Sequence, residues 1–94
     1  MEFSSPQLAW IDGQPVPAAR GATFATVDPS TEEVLAEVAR CGEEEVDAAV
    51  AAARRAFPAW RDLSPPERAG RIRAVARALA ERAEEFARLE TLDT

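Results

Sequence analysis

Apolar positions alternate with polar ones as far as Ala39 and then recur every third or fourth residue from Gly42 onward. That change of period predicts short strands followed by helices. Leu8 to Ile11 is a short extended run, and Asp12-Gly13 is the strongest kind of two-residue hairpin signal. Val16 lies between Pro15 and Pro17, which confines any returning strand to an edge. Gly21 punctuates the next loop. The β-branched and aromatic run Ala22 to Val27 predicts a strand, Asp28-Pro29-Ser30-Thr31 a turn, and Glu33 to Ala39 the returning strand of an antiparallel hairpin. In that strand Val34, Ala36 and Val38 alternate with Glu33, Leu35 and Glu37.

Beyond Gly42, three consecutive acids open a helix whose stripe is Val46, Ala49, Val50, Ala53 and Phe57, and Pro58 is expected to end it. A second helix opens on Ser64 as cap, Pro65 in the first position and Glu67 closing a capping box. Ile72, Val75, Ala76, Leu79, Ala83 and Phe86 form its stripe. Carried on to Asp93 this helix would exceed the usual length, which predicts a break near Arg82. Residues 1–7 read as a loose tail.

Composition narrows the class. The 94 residues are 47% hydrophobic and 30% charged, which is globular and excludes disorder. A net charge of -6 with a pI near 4.6 argues against nucleic acid and anionic membranes as partners. All eleven basic residues are Arg, spread among acids, so no basic patch forms. The single Cys excludes an intrachain disulfide, the opening residues lack the positive start and apolar core expected of a signal peptide, and no apolar run approaches membrane-spanning length. A cytoplasmic location is expected.

Candidate chemistry is sparse. There is no His for acid–base work, and the four Gly fit no phosphate-cradling loop. Cys41 sits before a helix N-terminus, where a thiolate is stabilised, yet no base lies near it in sequence. Glu43, Glu44 and Glu45 suit a solvated first turn. Trp10, Trp60 and Phe57 suit packing. Asp93 is less easily placed. It follows Glu90 at the end of a helix, where the dipole is already negative and cations are favoured. It is read either as a solvated acid on a continuing helix or as a hard oxygen ligand for a cation.

The stretch from Ile11 to Trp60 and the stretch from Ser64 to Thr94 together resemble the N-terminus of an NAD(P)-dependent aldehyde dehydrogenase. The resemblance runs from Leu8 to the end of the chain. It is closest to the betaine aldehyde dehydrogenases, and "GATF", "EVLAEV" and "LETLDT" carry most of it. It implies an α/β fold, with residues 8–94 forming the first part of a Rossmann-like coenzyme domain. It also implies a chain that continues past Thr94 with Gly-Lys-Pro, which supplies the missing helix stop.

In this family a Cys attacks the aldehyde, hydride passes to NAD+ or NADP+, and water activated by a Glu hydrolyses the thioester. Those residues belong to motifs that match no position here, Cys41 included, so no catalytic or coenzyme-binding residue is expected in this segment. The resemblance does imply a potassium site, held by the backbone carbonyls of Thr26 and Val27 and the carboxylate of Asp93. The partners it implies are the rest of the chain, a small aldehyde, and further copies in a homodimer or homotetramer. The alternative is a free-standing helical interaction module without catalysis.

Overall fold

The computed structural model describes residues 3–94; Met1 and Glu2, part of the expected tail, lie outside the described residues. Two antiparallel hairpins precede three helices. The first hairpin pairs β1 (Ala9–Ile11) with β2 (Gln14–Val16), and Trp10 faces Pro15 across it. Asp12 and Gly13 both take positive φ, 55° and 74°, as the turn that matches the strand twist requires. A single 3-10 turn at Ala19–Gly21 leads into the second hairpin.

That hairpin pairs β3 (Thr23–Val27) with β4 (Val34–Ala39). Asp28 Oδ1 accepts the Ser30 N–H at 2.8 Å and closes the start of the connecting turn. The register slips at one place: Thr26 pairs with Ala36 and Val27 with Val34, so Leu35 is an extra residue on β4. A bulge of this kind breaks the alternation of faces. Accordingly Ala36 and Ala39 are buried, Leu35 and Val38 half-buried, and Val34 is exposed, which corrects the strict Val34–Ala36–Val38 face expected from the pattern.

The expected loose tail is tied down from Ser5 onward. Gln7 donates its N–H to the Glu37 carbonyl at 2.7 Å and accepts the Ala39 N–H at 2.8 Å, and Ser5 Oγ accepts the Glu37 N–H. Those β4 groups point away from β3 and require partners of their own.

Helix α1 (Glu43–Arg61) passes through Pro58, a correction to the expected stop. Proline removes one hydrogen bond to the preceding turn, and so near the end that loss does not halt the helix. Asp62 N–H bonds to the Pro58 carbonyl at 3.0 Å, and the chain turns at Leu63. The carbonyls left at this end are met from the next helix: Arg68 Nη1 donates to the carbonyls of Arg61 and Leu63. Helix α2 (Pro65–Glu81) opens with the expected capping box, Ser64 N–H to Glu67 Oε2 at 2.9 Å and Glu67 N–H to Ser64 Oγ at 3.3 Å. Arg82 breaks the helix where length predicted, and α3 (Ala83–Asp93) follows.

Glu45 also departs from expectation. Glu43 and Glu44 are solvated, but Glu45 is buried. Its Oε2 accepts the Gly42 N–H at 2.8 Å, and its Oε1 accepts the Ala19 N–H. Gly42 has no side chain to complete a capping box, so Glu45 uses its second oxygen on the 3-10 turn instead. The bonds from the Gly42 and Ala19 backbone hold its pKa below the usual carboxylate value.

Little apolar surface is covered. The buried apolar residues are Ala18, Ala36 and Ala39, while Val46, Phe57, Ile72 and Val75 are all more than half exposed. Among the described residues no helix is long and apolar enough to cross a membrane. The Cα radius of gyration is 16.6 Å, against about 12 Å for a compact domain of this length.

Two outcomes are expected. The chain by itself should bind a hydrophobic dye and self-associate at micromolar concentration; a sharp cooperative melt of a monomer would contradict this. Glu45→Ala should speed amide hydrogen exchange at Ala19 and Gly42 near neutral pH. Because the folded pKa is depressed, the charged carboxylate's contribution is present above its ordinary value and lost as pH falls through the lower folded one. The difference between variant and parent should therefore persist down through the ordinary carboxylate range and close only once the pH falls below the depressed folded value.

Candidate cation site

The site expected from the sequence needs the end of β3 next to the end of α3. At the β3 end the bulge sits between Thr26 and Val27, where the ladder is locally disrupted. That is where backbone carbonyls most need partners other than the opposite strand.

Helix α3 supplies the other half. One of its last carbonyls is met by a threonine: Thr94 N–H and Oγ1 both donate to Glu90 O, while Thr91 Oγ1 donates one turn back to Ala87 O at 3.0 Å. Asp93 carries its negative charge at this end, where the dipole disfavours it. Its Oδ1 accepts a hydrogen bond from Thr26 Oγ1 at 2.8 Å, joining positions 67 residues apart in sequence. Asp93 and Leu89 face Phe24, Thr26, Leu35 and Val38 across a cavity of about 360 Å³.

The structure thus brings Asp93 to Thr26, through the threonine hydroxyl, a contact the sequence reading did not include. Val27 follows directly on β3, beyond the bulge, and does not line this cavity. The hydroxyl and carboxylate oxygens that meet here are hard donors, of the kind that suits an alkali cation and not a soft thiophilic metal. Among the described residues no three His, Cys, Asp or Glu side chains gather, so no multi-carboxylate or thiolate centre competes with this reading.

The other candidates are separate from it. Cys41 is an exposed free thiol. Trp10 is 73% exposed on the first hairpin, with an Arg55–Asp12 ion pair at 3.5 Å near the turn. The surface ion pair Arg82–Glu85, at the α2–α3 break, carried no signal in the sequence except the length of the helix.

Comparison with known proteins decides the family. The model of the aldehyde dehydrogenase family matches residues 16–94. The chain belongs to the aldehyde dehydrogenase family. It is 41% identical over 91 residues to a hydroxyisobutyraldehyde dehydrogenase of Mycolicibacterium austroafricanum, covering 97% of this chain and 18% of that protein. It is 46% identical over 91 residues to an aminoacetaldehyde dehydrogenase of Pseudomonas aeruginosa, covering 95% and 18%. A crystal structure of a betaine aldehyde dehydrogenase point mutant from Staphylococcus aureus, in complex with NAD+, is 38% identical with a TM-score of 0.88. That match covers 94% of this chain and 18% of that one. The chain therefore spans about a fifth of the length of these aldehyde dehydrogenases, and its strand pairs and helices match the N-terminal region of their α/β fold.

The Thr26–Asp93 contact is open to a double-mutant cycle in the full-length aldehyde dehydrogenase. Thr26→Val and Asp93→Ala should each lower unfolding stability by about 1 kcal/mol, and the double variant should cost little more than either alone. Fully additive losses would show that the two side chains do not meet.

Proposed function

We propose that this chain is the N-terminal part of an enzyme that oxidises betaine aldehyde to glycine betaine with NAD+ or NADP+. Family membership across most of the chain carries the aldehyde-oxidising part of this reading. The betaine aldehyde part is supported by the "GATF", "EVLAEV" and "LETLDT" stretches and by the likeness to a betaine aldehyde dehydrogenase that binds NAD+. Within the enzyme this segment supplies scaffold. Its three capped helices and two hairpins present apolar faces for the remainder of the polypeptide to cover, in a homodimer or homotetramer. No side chain here takes part in the attack on the aldehyde or in hydride transfer.

The segment's own chemistry is the cation site. Carbonyl oxygens of Thr26 and Val27 and the carboxylate of Asp93 would hold one potassium ion, which would neutralise the acid at the helix end and tie it to the strand end. The Thr26–Asp93 hydrogen bond at 2.8 Å supports this placement. The uncovered stripes of α1 and α2 favour a second reading, a helical interaction module without catalysis.

Two measurements separate these readings. The 94-residue chain with betaine aldehyde and NAD+ should form no NADH, whereas the full-length enzyme should, with a higher kcat/KM for betaine aldehyde than for aminoacetaldehyde or hydroxyisobutyraldehyde. A preference for either of those overturns the substrate, and turnover by the chain alone that disappears in Cys41→Ala overturns the assignment of catalysis elsewhere. Potassium should raise the melting temperature of the full-length enzyme relative to tetramethylammonium, and Asp93→Ala should abolish the difference. Equal melting temperatures in the two salts would remove the cation site.

A further inference from the structure

The break between α2 and α3 has no cause in backbone chemistry. Between Arg71 and Thr94 there is no Gly and no Pro, and Glu81, Arg82 and Ala83 are all good helix formers. Yet Arg82 sits at φ -115° and ψ 24°, outside the helical region, and serves as C-cap of one helix and N-cap of the next. Its N–H turns back to the Leu79 carbonyl at 3.1 Å, and its own carbonyl accepts the Phe86 N–H at 3.0 Å.

The side chain of Arg82 closes over the break. Nε and Nη2 donate to the two oxygens of Glu85, at 2.9 and 2.6 Å, a bidentate fork. The guanidinium carbon lies 5.8 Å from the centre of the Phe86 ring. The arrangement is an ionic version of a capping box. Glu85 is the third residue of α3 and reaches back to the cap residue, meeting its guanidinium in place of its backbone N–H. The pairing raises the pKa of Arg82 and lowers that of Glu85, so both stay charged across the physiological range.

The consequence is one of direction. On α2, Ile72 and Val75 are 60% and 61% exposed, so that helix runs clear of the sheet. On α3, Leu89 and Asp93 face β3 and β4, and Asp93 bonds to Thr26. A straight helix from Pro65 to Asp93 would be a rod of roughly 43 Å with no reason to return to the hairpin. We propose that Arg82 is a positioning residue: its fork onto Glu85 sets the angle at which α3 leaves α2 and so sets Asp93 against Thr26. For its link to potassium, though not for its geometry, the proposal rests on the cation reading above.

An exposed ion pair of this kind adds little to global stability, so the test must read the position of α3. Full-length enzyme carrying Thr26→Cys and Asp93→Cys is oxidised, and the peptide joining the two positions is quantified by mass spectrometry. Phe24→Cys with Leu89→Cys serves as a second pair should the first fail to fold. Cross-linking should occur with Arg82 intact and slow about two- to fivefold in Arg82→Ala. It should recover when Arg82→Glu is combined with Glu85→Arg, a rescue that loss of packing alone would not show. An unchanged rate in Arg82→Ala, no recovery in the swap, or no cross-link at either pair overturns the proposal. In protein without added cysteines, Arg82→Ala should also shrink the potassium-dependent rise in melting temperature. If the parent shows no such rise, the cation reading fails and the cross-link alone judges Arg82.

Discussion

Only Ala18, Ala36 and Ala39 are both apolar and buried among the described residues, so side-chain burial cannot be what shapes this segment. Hydrogen bonds closed over short stretches of chain do that instead. The Asp12-Gly13 turn, the Ser64–Glu67 box and Thr94 on the Glu90 carbonyl each satisfy an element's end within a few residues, and the Arg82–Glu85 fork closes over the α2–α3 break. Among the described residues no buried side-chain nitrogen or oxygen is left without a partner. The result is a set of well-terminated elements whose apolar faces remain open. That suits a segment spanning about a fifth of the length of its aldehyde dehydrogenase relatives.

Besides the exposed Arg55–Asp12 pair, few bonds outside the two strand ladders connect distant parts of the chain, and most involve an element's end. Glu45 joins the start of α1 to the 3-10 turn, Gln7 joins the N-terminal strand region to β4, and Asp93 joins α3 to β3. Helix ends are where unpaired backbone groups and dipole charge concentrate, so they are the natural points of attachment. Asp93 is the exception in sign. An acid at a C-terminal helix end is unfavourable alone, and both the Thr26 hydroxyl and the proposed cation act to offset it. The placement of Asp93 then depends on how α3 leaves Arg82, several turns away from the contact it serves.

Local chemistry made much of this legible. The two-residue turn at Asp12-Gly13, the capping box at Ser64 and the change of period at Gly42 are written in residue type and spacing, and the elements fall where those signals lie. Helix length alone pointed to the break at Arg82. Pro58 misled because the rule against internal proline weakens in the last turn, where only one bond is lost. The Leu35 bulge was invisible because an extra residue on one strand is defined only against its partner.

What the sequence by itself determined was the kind and order of elements, and through its resemblance the family and the three residues proposed for a cation. Turn, cap and stripe signals act over a few residues, and they need no knowledge of what lies across from them. What only the tertiary structure decided was which ends meet: the second oxygen of Glu45 on Ala19 and the Thr26 hydroxyl on Asp93. Each joins groups whose proximity follows from the angle between elements, and no local pattern encodes that angle.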